Sequence, residues 1–312
     1  MPELDWLTGS GPAWLIAWLS ALEWQQIAEW ITLAILGFGT GVFGVLVGAG
    51  GGFILVPMLR ILFPEEDPSV VSGTVLALVA ANSISGAFAY RLMRIVDKRS
   101  AYLFAAAAIP GSVIAPFVLK KALEELPGIY DAAFGVILVL LAFRIAAQQF
   151  NTQERSALAR ARRRRRSFID PQTLHRRRIT AESGETYRYR LSERWAVLIN
   201  FVLGFISSFF GIGGGFLRTP ILVYAFGFPV QVAVATSIFA LSFYTTAGAA
   251  THAIIGNIEW FPTFVFAGIG LVTGGQIGAR LAGRVRGPWI LRLLMVVILI
   301  LGVQLIIQGI RG

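Results

Sequence analysis

The chain has 312 residues, 56% of them hydrophobic and only 14% charged, with a mean hydropathy of +0.70 and a formal net charge of +10. That balance leaves too few polar residues to cover a soluble surface, so it excludes an ordinary soluble domain and points to an all-α polytopic membrane protein. There is no cysteine, which excludes disulfides and thiolate chemistry, and the two histidines, His175 and His252, stand far apart. Neither a metal site nor a cofactor is expected.

In chain order, residues 1–26 form an N-terminal segment without the basic start of a signal peptide. Its apolar stretch is too short to span, and Trp14 and Trp18, one helical turn apart, suit a helix lying in the interface. The first repeat, residues 27–149, opens with an apolar helix over about 27–47 that runs into glycines, followed by a short apolar piece at 53–63. Three spans then follow, at about 69–91, 101–119 and 130–148. Residues 150–194 hold 13 arginines and 5 acids, including ARRRRRSF, and so carry most of the net charge. Such a segment reads as a cytoplasmic loop in contact with anionic lipid headgroups. Nucleic acid is not an expected partner, because no base-reading fold accompanies the charge. Within the loop, RITAESGETYRYRL alternates about a Ser-Gly turn and suits a β-hairpin. The second repeat, residues 195–312, mirrors the first: a helix at 195–210, a short piece at 216–228, and spans at 231–255, 261–283 and 289–308.

Loop charge sets the orientation. The basic RLMRIVDKRS (91–100) belongs inside, whereas its counterpart IGNIEW (255–260) carries no basic residue and belongs outside. GRVRGP (283–288) is basic and belongs inside, while KKALEELP (120–127) is balanced and PEEDP (64–68) is acidic. Equivalent loops thus fall on opposite sides. This makes the chain an inverted-topology repeat, each half holding a glycine-broken re-entrant helix pair plus three transmembrane helices. The alternative, in which the first helix of each half crosses fully, makes the repeats parallel and puts GRVRGP outside.

The glycine breaks are themselves repeated. GAGGGFILVP (48–57) and GIGGGFLRTP (211–220) lie 163 residues apart and share Gly48/Gly211, Gly50/Gly213, Gly51/Gly214, Gly52/Gly215, Phe53/Phe216 and Pro57/Pro220. Glycine is a poor helix former, costing roughly 1 kcal/mol against alanine, and irregular backbone is tolerated at membrane depth only where protein covers it or it lines a cavity. A break also creates a helix N-terminus whose free N–H groups and dipole favour an anion, and a backbone without Cβ atoms admits a ligand closely. Two such termini meeting near the midplane would hold an oxyanion without a permanently buried cation. The competing reading is close helix packing through small residues, which suits scattered glycines such as Gly37 and Gly44.

The next helix of each half adds polar groups 162 residues apart: Thr74 with Thr236, Asn82 with Tyr244, and Ser83 with Thr245. Thr74, Asn82, Ser83, Thr236, Ser237 and Thr245 are candidates to line the path, or else bond to their own helix or a neighbour. Gln276 is a weaker candidate, and His252 reads as packed. Arg218, just after the second break, either attracts the anion or snorkels to a helix end.

The paired GxGGGFxxxP stretches resemble the TauE/SafE family of membrane carriers. The fuller match is the second copy, GIGGGFLRTPILVYAFGFPVQVAVATS; the first departs from it with LVP for RTP, and the arginine-rich loop lies outside the resemblance. The resemblance implies a bacterial inner-membrane carrier of sulfite or organosulfonates such as sulfoacetate, with the matched glycine, phenylalanine and proline positions binding substrate. No carboxylate lies near the middle of a main span to relay protons, so export of an anion driven by the membrane potential is the expected mode. Uptake of a sulfonate or another small organic anion, or a non-transporting scaffold or sensor acting through the 150–194 loop, are the alternatives. An enzyme is not expected, for the spans hold no nucleophile with a base and no acidic pair. The sequence carries no signal for an oligomeric state.

Overall fold

The computed structural model describes residues 24–125, 129–150, 174–180, 186–224, 226, 228–281 and 287–311. The expected N-terminal interfacial helix, the ARRRRRSF run and the Arg284/Arg286 loop fall outside them. In chain order the helices are α1 (Trp24–Val47), α2 (Gly52–Leu62), α3 (Pro68–Leu92), α4 (Lys98–Glu125), α5 (Ile129–Phe150), α6 (Glu193–Phe209), α7 (Gly215–Tyr224), α8 (Val230–Ile255), α9 (Val265–Leu281) and α10 (Gly287–Arg311). Before α6 stands an antiparallel hairpin of β1 (Leu174–Thr180) and β2 (Thr186–Ser192), with Arg177 opposite Tyr189.

Local signals fix several boundaries. Asp67 caps α3, its carboxylate accepting the Ser69 N–H at 2.7 Å, and Pro68 fills the first turn, where no N–H is needed. Gly256 ends α8 in the left-handed conformation, φ 89°. α7 runs Gly215–Tyr224, within the apolar piece expected at 216–228, and Pro229 stands immediately before α8.

Five described helices are long and apolar enough to cross a membrane: α1, α3, α4, α8, and α9 with the segment Trp260–Phe264, kinked at Phe261, that leads into it. Their outer faces expose large apolar side chains, among them Phe38, Phe88, Ile254 and Ile269. Water would penalise such a surface and lipid tails do not. This is a multi-pass membrane protein.

The helices pack in a reciprocal pattern. Gly41 of α1 lies against the Leu271 carbonyl of α9 and Gly274 against that of Phe38; 163 residues away in each case, Gly204 of α6 lies against the Ala108 carbonyl of α4 and Gly111 against that of Phe201. α3 and α8 run antiparallel, Gly86 touching Ile238 while Gly73 touches Asn257. α5 and α10 are also antiparallel, through Gly135 and Gly302.

Charge distinguishes the two ends of the molecule. Glu29, Glu66 and Glu259 gather at one end, where burial first, and the two other carboxylates further, push the Glu259 carboxyl above its ordinary range. Here Arg60 of α2 is held by Asp131 of α5 in a buried two-pronged ion pair of 3.0 and 2.7 Å. At the other end Arg91, Arg94 and Lys98 surround a cavity of about 500 Å³, and the hairpin's Tyr187 hydroxyl donates to Gln231 at the start of α8. Glu29 of α1 and Arg60 of α2 both stand at the acidic end, while the hairpin that leads into α6 stands at the basic end.

An added methyl at Gly41 or Gly204 would collide with a facing carbonyl, whereas one at Gly39 meets open space. Gly41→Ala and Gly204→Ala should each lower stability by about 1–3 kcal/mol, and Gly39→Ala should not; thermal unfolding in detergent checks this.

Candidate functional site

Both breaks adopt the same backbone. Gly48, Gly50 and Gly51 have φ of 80°, 81° and 101°, and Gly211, Gly213 and Gly214 have 70°, 81° and 63°. These left-handed values suit glycine and strain any other residue, so the three kinks of each copy explain why the sequence spends glycines there. No side chain caps Gly51 at the start of α2.

The two breaks meet. Gly52 sits against the Gly211 carbonyl and Gly215 against that of Gly48, a reciprocal contact between positions 163 apart. Phe53 and Phe216 stack across the same junction with centroids 5.5 Å apart. Each glycine of the junction has a neighbour where a Cβ would stand, so the breaks are closely packed in this conformation. Pro57 is buried within α2, three residues before Arg60. The backbone of Pro220 continues α7.

Carbonyl groups freed by the kinks find partners. Asn82 donates to the Gly50 carbonyl at 2.9 Å, and Tyr244, its counterpart in the second half, donates to that of Gly213. Ser237 and Thr219 reach the Gly48 carbonyl at 3.3 and 3.4 Å, tying the first break to the second half. Thr74 accepts the Glu259 N–H at 2.8 Å and Thr236 accepts that of Asp97 at 3.1 Å, so each pins the loop beyond the opposing long helix. Ser83 and Thr245 donate to carbonyls of their own helices, Ala80 and Leu241, as anticipated in the alternative reading. Gln276 bonds to Ser85, away from the junction.

Arg218 is the unusual member. It is 1% exposed; its Nε donates to Asn200 Oδ1 at 2.7 Å, and its guanidinium carbon lies 4.6 Å from the Tyr244 ring centroid. It does not snorkel. Its Nη1 and Nη2, with Ser207 Oγ and Ser208 Oγ of α6, Asn82 Oδ1 and His252 Nδ1, are buried without partners. His252 bonds the Ser208 carbonyl through Nε2 at 3.1 Å. Asn200, Ser207 and Ser208 escape sequence reasoning, because no spacing links α6 to α7 and α8. The polar environment contrasts with a groove of about 230 Å³ between α1, α2 and α10, which is lined almost wholly by apolar side chains such as Ile35, Phe43 and Met58 and suits lipid tails better than an ion. Among the described residues, no three His, Asp or Glu side chains stand together as metal ligands.

Two broken helices meeting inside a bundle of long apolar helices is the architecture of a membrane transporter. The chain matches the model of the family described as Sulfite exporter TauE/SafE over residues 33–305. It is 30% identical to "Probable membrane transporter protein YunE" of Bacillus subtilis, covering 90% of this chain and 99% of that protein. It is 25% identical to "Probable membrane transporter protein MJ0441" of Methanocaldococcus jannaschii over 88% of this chain and 94% of that one. "Sulfite exporter TauE/SafE family protein 6" of Arabidopsis thaliana is 28% identical over 31% of this chain and 22% of its own length. No solved structure matches. The chain belongs to the TauE/SafE family of membrane transporters.

Thr74→Val and Thr236→Val each remove an acceptor from a loop amide and should each cost about 1 kcal/mol, by similar amounts, in thermal unfolding. Because the Glu259 carboxyl is held above its usual range, its charged form disfavours the fold. Glu259→Gln should therefore be neutral well below pH 4, where the acid is protonated folded and unfolded, and stabilising at neutral pH. Unfolding temperatures across that pH range test the sign.

Proposed function

We propose that this transporter carries a sulfur-containing oxyanion, sulfite or an organosulfonate such as sulfoacetate, past the junction of its two glycine breaks. The observation that carries the reading is the reciprocal meeting of Gly48–Phe53 with Gly211–Phe216, beside a buried arginine with free donors. Backbone of this kind accepts an anion closely, and the start of α7 adds its dipole to the Arg218 charge. Asn82 and Ser237 hold carbonyls of the first break, while Thr74 and Thr236 hold loop amides and Ser83 and Thr245 bond to their own helices.

The two halves form an inverted-topology repeat. Antiparallel packing of α3 with α8 and of α5 with α10, and the entry of α1–α2 and α6–α7 from opposite ends, support it. By the charge rule the basic end, with the 150–194 loop, faces the cytoplasm of a bacterial inner membrane, where the loop meets anionic lipid. Because the junction is closely packed, a guest enters only when the halves rock apart, exposing the site to alternate sides. An inside-negative potential pushes an anion outward by about 2.3 kcal/mol per charge per 100 mV, enough for export without a coupled ion.

Liposomes containing the protein should show sulfite or sulfonate flux that follows an imposed voltage. Flux that ignores voltage and strictly requires a pH gradient would reject the export mechanism. Absence of flux for every oxyanion, with activity lost on deleting residues 150–194, would favour a scaffold instead.

A further inference from the structure

We propose that the second break owns a charged subsite for a three-oxygen head group, built from Arg218 and Ser207, and that the first break has no equivalent. The proposal rests on the transporter reading and adds to it where the charge is held and what distinguishes a sulfonate from a carboxylate.

The chain shows two ways of burying an arginine. Arg60 is 5% exposed and closed by Asp131, which takes two of its nitrogens. Arg218 is as deeply buried, yet its polar neighbours are neutral, Asn200 Oδ1 at Nε and the Tyr244 phenol, and Nη1 and Nη2 make no ion pair and no hydrogen bond of normal geometry. A guanidinium keeps its proton in proteins, and an ion buried with its outer donors unpaired is unfavourable, so the arrangement is completed by a counter-anion. Asn200 and the Tyr244 ring fix the plane of the fork, and Tyr244 is itself anchored on the Gly213 carbonyl of the break. These two are positioning residues.

Ser207 supplies the third donor. Its Oγ is buried beside the Tyr244 phenol and makes no hydrogen bond of normal geometry. A Cβ placed on Gly214 would stand 3.1 Å from the Ser207 Cβ and 3.2 Å from the Tyr244 hydroxyl, which puts serine, phenol and kink in one cluster, and the Arg218 N–H donates to the Gly214 carbonyl. Two forked N–H donors and one hydroxyl match three oxygens on one sulfur, whereas a carboxylate satisfies the fork and leaves the serine idle. In the first half Leu55 stands where Arg218 stands in the second, and Gly37 where Asn200 does, so no charge is available there.

The test uses the full chain, with methanesulfonate, sulfite, acetate and uncharged dimethyl sulfone as probes, reading binding by calorimetry and flux in liposomes. Wild-type protein should bind methanesulfonate and sulfite more tightly than acetate, and the sulfone not at all. A preference between methanesulfonate and sulfite separates an organosulfonate carrier from a sulfite carrier. Ser207→Ala deletes a hydroxyl whose neighbour, the Tyr244 phenol, keeps its own bond to the Gly213 carbonyl. Its unfolding temperature should change little, while methanesulfonate affinity falls about fivefold, the worth of one hydrogen bond, and acetate affinity stays. Arg218→Lys, which keeps charge but loses the fork, should lose at least tenfold for both anions. If Arg218→Lys does not fold, Ser207→Ala decides alone. Unchanged sulfonate-over-acetate preference in Ser207→Ala, or wild-type affinity in a folded Arg218→Lys, overturns the subsite while leaving the transporter intact. A wild-type protein that moves none of the anions overturns the transporter reading instead.

Discussion

Everything in this molecule follows from the cost of leaving backbone hydrogen-bonding groups bare in a medium without water. Breaking a helix twice at membrane depth frees carbonyls and N–H groups that lipid cannot satisfy. The chain answers by covering each break with side chains from neighbouring helices and with the other break. Asn82 and Tyr244 serve the two middle glycines, Ser237 and Thr219 close on Gly48 from the opposite half, and the two phenylalanines seal the contact. Neither break is sealed without the other half, so the junction is both the weak point of the fold and the place where its halves are coupled.

The reciprocal design is broken in one respect. Backbone conformation, helix pairing and the asparagine–tyrosine pair repeat across the halves, but charge does not. Leu55 stands in the first half where Arg218 stands in the second, and among the described residues most of the buried polar atoms without partners lie on α6, α7 and α8. Elsewhere the chain neutralises its buried cation internally, as Arg60 with Asp131 shows. The two arginines differ in that one is closed by a carboxylate and the other is surrounded by neutral groups.

Much of the fold was legible because its signals are local. The repeated glycines, the long apolar runs and the alternating hairpin depend on spacing within a few residues. What stayed hidden depends on tertiary contact. Arg60 and Asp131 are 71 residues apart and nothing in either neighbourhood announces the other. The support of Arg218 by Asn200 and Tyr244 needs three helices in place. Thr74 and Thr236 stood out as a matched pair, but only the structure connects them to the Glu259 and Asp97 amides. Hydroxyls in apolar helices have several ways to be satisfied, and sequence does not rank them.

The central claim is that the two breaks touch at rest and must part for a solute to pass. The chain has no cysteine of its own, so Phe53→Cys and Phe216→Cys in one protein can be bridged without interference. The reduced double variant supplies the reference flux in liposomes. The account predicts that bridging the two thiols stops oxyanion flux and that reduction restores it. A bridged protein that carries the anion as fast as its reduced form would contradict the account.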